Sequence, residues 1–156
     1  MLYLAYGSNI NPDQMKERCP TAKPVGQGYL DDWKLVFDGY SGKRQGLVAD
    51  IRKKKDSKLP YVLWNIESEH EIAYLNEREG YAPNRSLECN SYVPMPINVQ
   101  GFEEVFVYIM TETFRNKRGQ SRTIPTSYIQ TIREGYRCFN LNEDYLDQAI
   151  REAENG

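Results

Sequence analysis

The first thirteen residues, MLYLAYGSNINPD, constrain this chain more than any other stretch. Leu2, Leu4 and Tyr6 alternate with Tyr3 and Ala5, the two-residue period of a β-strand. The run breaks at Tyr6-Gly7-Ser8-Asn9. Behind it, Asn11-Pro12-Asp13 reads as a helix start, because proline suits the first helical turn. One strand end, one small-residue turn and one helix start therefore meet at a single place. Such a turn can aim several backbone N–H groups at one concave spot, where a carboxylate, a phosphate or a developing oxyanion would be held. The tetrapeptide alone favours the ordinary reading, a tight connector with an Asn or Ser helix cap. It is not a Walker loop, since the glycine–lysine spacing is absent.

The remaining pattern alternates short strands with a few helices. The first helix should run from Pro12 to about Arg18. Strands are expected at Lys23–Leu30, Lys34–Phe37 and Gly46–Ile51. "KKKDSKLP" then reads as a polar turn before a strand at Tyr61–Ile66. Ser68 and Glu71 form a capping box, and Gly80 marks the stop of the best-signalled helix. Further strands are expected at Glu88–Tyr92 and Glu103–Thr111, and closing helices at Thr126–Gly135 and Glu143–Glu154. No repeat, linker or composition shift divides residues 1–156, so one domain is expected. The reading is α+β, built on a small twisted or closed mixed sheet.

Composition excludes several classes. The formal charge is −2 over 156 residues, with 27% charged and 40% hydrophobic side chains. No large positive field invites nucleic acid. No apolar run reaches membrane-spanning length, and no leader pattern opens the chain. The three cysteines, Cys19, Cys89 and Cys138, are far apart and odd in number, which points to free thiols and a cytoplasmic setting. His70 is the sole histidine, so neither a zinc site nor a Ser-His-Asp triad is supported and no metal is expected.

Three features remain as candidates besides the turn. With Ile72 at the centre of the apolar face of its helix, Leu75 and Glu79 fall on the same stripe. Glu79 is thus a carboxylate on a core-facing stripe at a helix end, where burial would raise its pKa toward proton-shuttling range. The plain alternative is a frayed-end glutamate that reaches solvent. Twelve tyrosines are many for this length, and Tyr6, Tyr108 and Tyr128 could line a pocket needing both ring and hydroxyl. Arg52–Lys55 reads as a solvated hairpin tip. Arg115, Lys117, Arg118 and Arg122 read as a solvated basic loop around Gly119.

The ordered series LAYGSNI, LVADI, LWNI, LNEREG, VYIM and IPTSYIQTIREG resembles the gamma-glutamylcyclotransferases and their cyclotransferase-like relatives across nearly the whole chain. The resemblance implies a small mixed β-barrel flanked by helices, with a cavity for a gamma-glutamyl group rimmed by the YGSN-type loop. It assigns the catalytic glutamate of the "Leu-[Asp/Asn]-x-x-Glu-Gly" motif to Glu79, the loop to Tyr6, Gly7, Ser8 and Asn9, and pocket tyrosines to Tyr108 and Tyr128. The motif's aspartate is Asn76 here, a position not expected to matter. Tyr81 and Tyr92 flank the place of a tyrosine usual after the Glu-Gly pair, and Tyr61 replaces a usual glycine. These departures bear on the leaving amine.

The implied reaction needs no cofactor or metal: the substrate's α-amine attacks its own γ-carbonyl, and 5-oxoproline and a free amine result. The alternatives are a cyclotransferase specific for gamma-glutamyl-amines, including removal of a gamma-glutamyl protecting group, and a non-enzymatic binding module on the same fold. The expected partner is a small gamma-glutamyl substrate, with neither nucleic acid nor membrane, and the resemblance favours a homodimer.

Overall fold

The structure is a computed structural model and describes residues 1–115 and 122–155. β1 (Leu2–Ala5), α1 (Pro12–Arg18), β2 (Lys23–Ser41), β3 (Gly46–Asn65), α2 (Glu69–Arg78), β4 (Tyr92–Val99), β5 (Phe102–Met110), α3 (Thr126–Cys138) and α4 (Glu143–Asn155) follow in chain order. The strands form one sheet in the order β2-β3-β1-β5-β4. The N-terminal strand is therefore the middle one. It pairs antiparallel with β3, where Leu4 faces Leu63, and parallel with β5, where Tyr3 faces Phe106. Tyr3, Leu4 and Ala5 are all buried, as suits a strand covered on both faces.

The α+β reading holds, and the mixed sheet flanked by helices is as expected, but the strand ladder does not close into a barrel. β2 and β4 remain edges. β4 carries Pro94 and Pro96, which lack the N–H a further strand would need, and proline is confined to such edges. These two prolines also hid the strand. The expected strand at Glu88–Tyr92 is instead a single 3-10 turn at Leu87–Cys89, and pairing starts only at Tyr92.

β2 and β3 are each longer than expected and swallow their predicted gaps. Asp31 faces Lys58 and Trp33 faces Lys53, so residues 54–57 bulge opposite Asp32 alone. Asp32 and Asp56 take positive φ (66° and 67°), and the Asp56 N–H donates to Asp32 Oδ1 at 3.0 Å. The polar stretch is a wide bulge within a continuing ladder, not a turn. Arg52 is accordingly no hairpin tip: it lies in β3 and pairs with Asp38, while Lys53 lies over the Trp33 ring. The turn between the two strands comes at residues 42–45.

Two local devices position the N-terminal turn. Asn11 caps α1, its Oδ1 accepting from Asp13 N–H (2.9 Å) and Gln14 N–H (3.3 Å), while its Nδ2 donates to the Thr131 carbonyl of α3 at 3.0 Å. Gly135 lets α3 lie close to this junction. A Cβ there would come within 2.8 Å of Asn11 N and 2.9 Å of Ile10 Cγ2.

Candidate active site

Beyond β1 the chain passes through Tyr6 and Gly7 into a 3-10 turn, Ser8–Ile10, whose first hydrogen bond runs from Ile10 N–H to Gly7 O (3.1 Å). The Ser8 and Asn9 N–H groups precede that bond, as the leading groups of any helical turn do. The turn's side chains matter as well. Asn9 is buried and fully engaged: Nδ2 donates to Tyr3 Oη (2.9 Å) and to Glu79 Oε1 (3.0 Å). Its Oδ1 accepts from Arg18 Nη1 (2.6 Å) and Gln14 Nε2 (2.8 Å). Its carbonyl accepts from Trp64 Nε1 at 3.0 Å. Ser8 Oγ only accepts from Gln14 Nε2, at 2.6 Å.

Glu79 arrives from the other side. Ser68 caps α2 through the Glu71 N–H (3.3 Å), and the helix ends with Glu79 N–H on the Leu75 carbonyl (2.9 Å). Gly80 then takes φ 69°, the left-handed stop that glycine favours. The Glu79 side chain is 15% exposed, and its Oε1 lies 3.8 Å from Arg18 Nη1. Burial pushes its carboxyl above the usual carboxylate range, while Arg18, the Asn9 amide and Arg44 pull it back. A carboxylate is thereby held between two opposing influences, at the lip of a cavity, by one amide and one guanidinium.

The tyrosines build the wall. Tyr3, Tyr6, Tyr92, Tyr108 and Tyr128 surround an inner cavity of about 40 Å³ together with Gly7, Asn9 and Glu79. Burial raises the pKa of each of these phenols, so all stay protonated donors. Tyr6 Oη donates to the Tyr108 carbonyl (2.8 Å) and Tyr108 Oη to Asn76 Oδ1 (2.6 Å). Tyr92 Oη donates to the Ala49 carbonyl (2.6 Å), and Tyr128 Oη accepts from the Ala49 N–H (3.1 Å). The cavity opens past Ser8, Glu79, Tyr92 and Tyr128 into an outer cleft of about 680 Å³, walled by the β2–β3 turn and the end of α2.

No protein-family model matches the chain. It is 30% identical over 102 residues to the gamma-glutamylcyclotransferase of Mus musculus; the match covers 63% of this chain and spans about half the length (50%) of that relative. Among solved structures, a human protein described as uncharacterised superposes with a TM-score of 0.73 at 24% identity, over 95% of this chain and 85% of that one. A gamma-glutamyl cyclotransferase superposes with a TM-score of 0.70 at 23% identity, over the same shares. The chain is similar in sequence to gamma-glutamylcyclotransferases and shares the fold of a solved gamma-glutamyl cyclotransferase. The structural likenesses carry the fold.

All seven residues singled out in the sequence come together: Glu79, Tyr6, Gly7, Ser8, Asn9, Tyr108 and Tyr128 line the one inner cavity. Sequence reading missed Tyr3, Ala49 and Arg18. It placed Tyr92 outside the pocket pattern, whereas Tyr92 is part of the wall. Asn76, not expected to matter, accepts the Tyr108 hydroxyl. The YGSN turn was read as offering backbone groups alone, but the Asn9 side chain is the hub that holds Glu79. Arg18 sits nine residues after Asn9, at the last position of α1, a relation invisible without the cap geometry. Of the basic loop, Lys117 and Arg118 lie outside the described residues. Arg115 is no solvated side chain: it is 3.8 Å from the buried Asp50 carboxylate and bonds Glu112 at 2.5 Å. Arg122 lines a groove between β2 and α4. No cluster of metal-ligating side chains exists among the described residues, nor any helix long and apolar enough to cross a membrane.

Proposed function

We propose that this chain is a gamma-glutamylcyclotransferase. The observation that supports this is the Glu79 carboxylate at the junction of cavity and cleft, gripped by Asn9 and Arg18, with its pKa raised by burial. In the reaction the substrate's α-amine nitrogen bonds to its own γ-carbonyl carbon. The amine attacks in its neutral form, and Glu79 takes the N–H proton that this nitrogen sheds as the new C–N bond forms. The γ-carbonyl oxygen carries negative charge in the tetrahedral intermediate, where the Ser8 and Asn9 N–H groups are suited to receive it. The C–N bond to the leaving amine then breaks as Glu79 returns its proton to that nitrogen. One carboxylate thus serves as base and acid in turn.

No covalent enzyme intermediate enters the scheme. The nucleophile is part of the substrate, and the chief contribution of the pocket is to fold it. Proximity of this kind can supply ~7 kcal/mol or more of the barrier. The aromatic wall, whose hydroxyls are tied to Asn76, the Tyr108 carbonyl and Ala49, is suited to fix that fold. The free thiols of Cys19, Cys89 and Cys138 fit a cytoplasmic enzyme, and a homodimer accords with the resemblance.

Incubation with a panel of gamma-glutamyl amides, assayed for 5-oxoproline, tests the reading. Release from at least one member is expected. A flat panel, with clear binding of an unrelated ligand, would instead make this a binding module on the same fold.

A further inference from the structure

The outer cleft carries a cation with no ion pair among the described residues. Arg44, on the β2–β3 turn, is half-buried, and its guanidinium lies 4.5 Å from the centroid of the Tyr128 ring. Tyr128 lines both the inner cavity and the outer cleft, so Arg44 stands where the one opens into the other. Among the described residues no carboxylate lies within ion-pair distance of it. The turn itself is pinned, the Arg44 N–H donating to Ser41 Oγ at 3.1 Å. Among the described residues, Arg18, Lys43, Arg44 and Arg78 line this cleft against only Glu77 and Glu79 as carboxylates. Arg18 is spent on Asn9 and Glu79.

The inner cavity, about 40 Å³, is near the roughly 30 Å³ that one water occupies. At that size it has no room for a leaving group. Whatever is attached to the γ-nitrogen must extend into the outer cleft, past Arg44. A half-desolvated guanidinium stacked on an aromatic ring, with no ion pair among the described residues, is a pre-positioned receptor for a carboxylate or phosphate.

Resting on the cyclotransferase reading, we propose that Arg44 is a specificity-determining residue that selects substrates whose leaving amine carries an anionic group, against neutral and cationic amines. Stacking on Tyr128 fixes the fork of the guanidinium, and the bulge-free turn from Ser41 to Gly46 holds the stem. A cationic leaving group would meet Arg44, Lys43 and Arg78 together and be repelled.

The test compares kcat/KM for gamma-glutamylalanine, gamma-glutamylethylamide and gamma-glutamyl-(2-aminoethyl)amide. The wild type is expected to rank them in that order. Arg44→Ala should lower the alanine-to-ethylamide ratio by roughly tenfold or more, the scale of a lost charged hydrogen bond. Arg44→Lys should retain part of that ratio, and Arg44→Glu should move preference toward the aminoethyl substrate. Equal losses on all three substrates in Arg44→Ala would overturn the proposal and assign Arg44 to the glutamyl part common to them. An active wild type with no preference would overturn it too. No 5-oxoproline from any of the three would instead overturn the reaction on which the proposal rests.

Discussion

Asn9 Nδ2 donates to Glu79 Oε1 at 3.0 Å, across seventy residues of sequence, and the same Asn9 side chain accepts from Arg18 at 2.6 Å. One amide therefore sets both the position of the carboxylate and its electrostatic surroundings. The Asn9 bond and the Arg18 charge both favour the ionised form, against burial. Asn9→Ala removes the first and loosens the second, so the Glu79 pKa must rise. The acid limb of a kcat/KM profile, where activity grows as Glu79 ionises, should move to higher pH, and the maximum should fall by about tenfold or more. A lower maximum with an unmoved limb would mean that Asn9 is structural only.

Gly7 and Ser8 should respond unequally. A Cβ on Gly7 would lie 3.3 Å from Ala49 Cβ and 3.6 Å from Tyr128 Oη, and larger side chains would enter the cavity itself. Ser8→Ala loses one bond from Gln14, worth about 1 kcal/mol. Gly7→Val should abolish most 5-oxoproline release, while Ser8→Ala should keep most of it. Assays of the two variants at matched folded fraction, checked by circular dichroism, measure the difference.

Much of this geometry was legible in the sequence, and the reasons are local. The alternation at Leu2–Tyr6, Pro12 at a helix start, and the Ser68, Glu71 and Gly80 signals are short-range, and each element formed where it was expected. Glu79 was found because a helical period carries it to the same stripe as Leu75. What escaped was set by long-range pairing. The two long strands persist through residues 54–57 because bulging around Asp32 costs less than ending a ladder that resumes at Asp31 and Lys58. Tyr3 lies on a central strand, which has no outward face, so it is buried as fully as its alternating neighbours. Arg18 and Asn76 gained their roles from neighbours remote in sequence.

Asp50 gives the fold a pH dependence of its own. It is fully buried, with Oδ1 accepting from Met110 N–H at 3.0 Å and Oδ2 unbonded between Arg52 (3.9 Å) and Arg115 (3.8 Å). Burial raises its pKa from 3.8 to about 6. A carboxyl raised on folding favours the folded state when protonated, so its contribution is full below the unfolded value and is lost as pH rises through about 6. Two pH units correspond to roughly 3 kcal/mol. Between pH 4 and 6, thermal denaturation of Asp50→Asn should show a Tm that varies less steeply with pH than that of the wild type. Parallel curves would contradict the assignment.

Gly135 couples stability to the site. An alanine Cβ would press on the Asn11 backbone at 2.8 Å and on Ile10, at the end of the turn that carries Asn9. Gly135→Ala should destabilise by about 1–3 kcal/mol, the usual cost of overpacking. Gly42→Ala, where a Cβ meets nothing within 4 Å, should stay within about 0.5 kcal/mol of wild type. Denaturant midpoints for the two variants read the contrast directly.

The most direct measurement is the rate of 5-oxoproline release by Glu79→Gln, on whichever gamma-glutamyl amide the wild type turns over fastest. Glutamine keeps the shape beside Asn9 and Arg18 and cannot carry the proton. A loss of roughly 10²–10⁴-fold in kcat, with the fold and substrate binding retained, is the result predicted. Release at the wild-type rate would contradict the assignment of Glu79 and the reaction built on it.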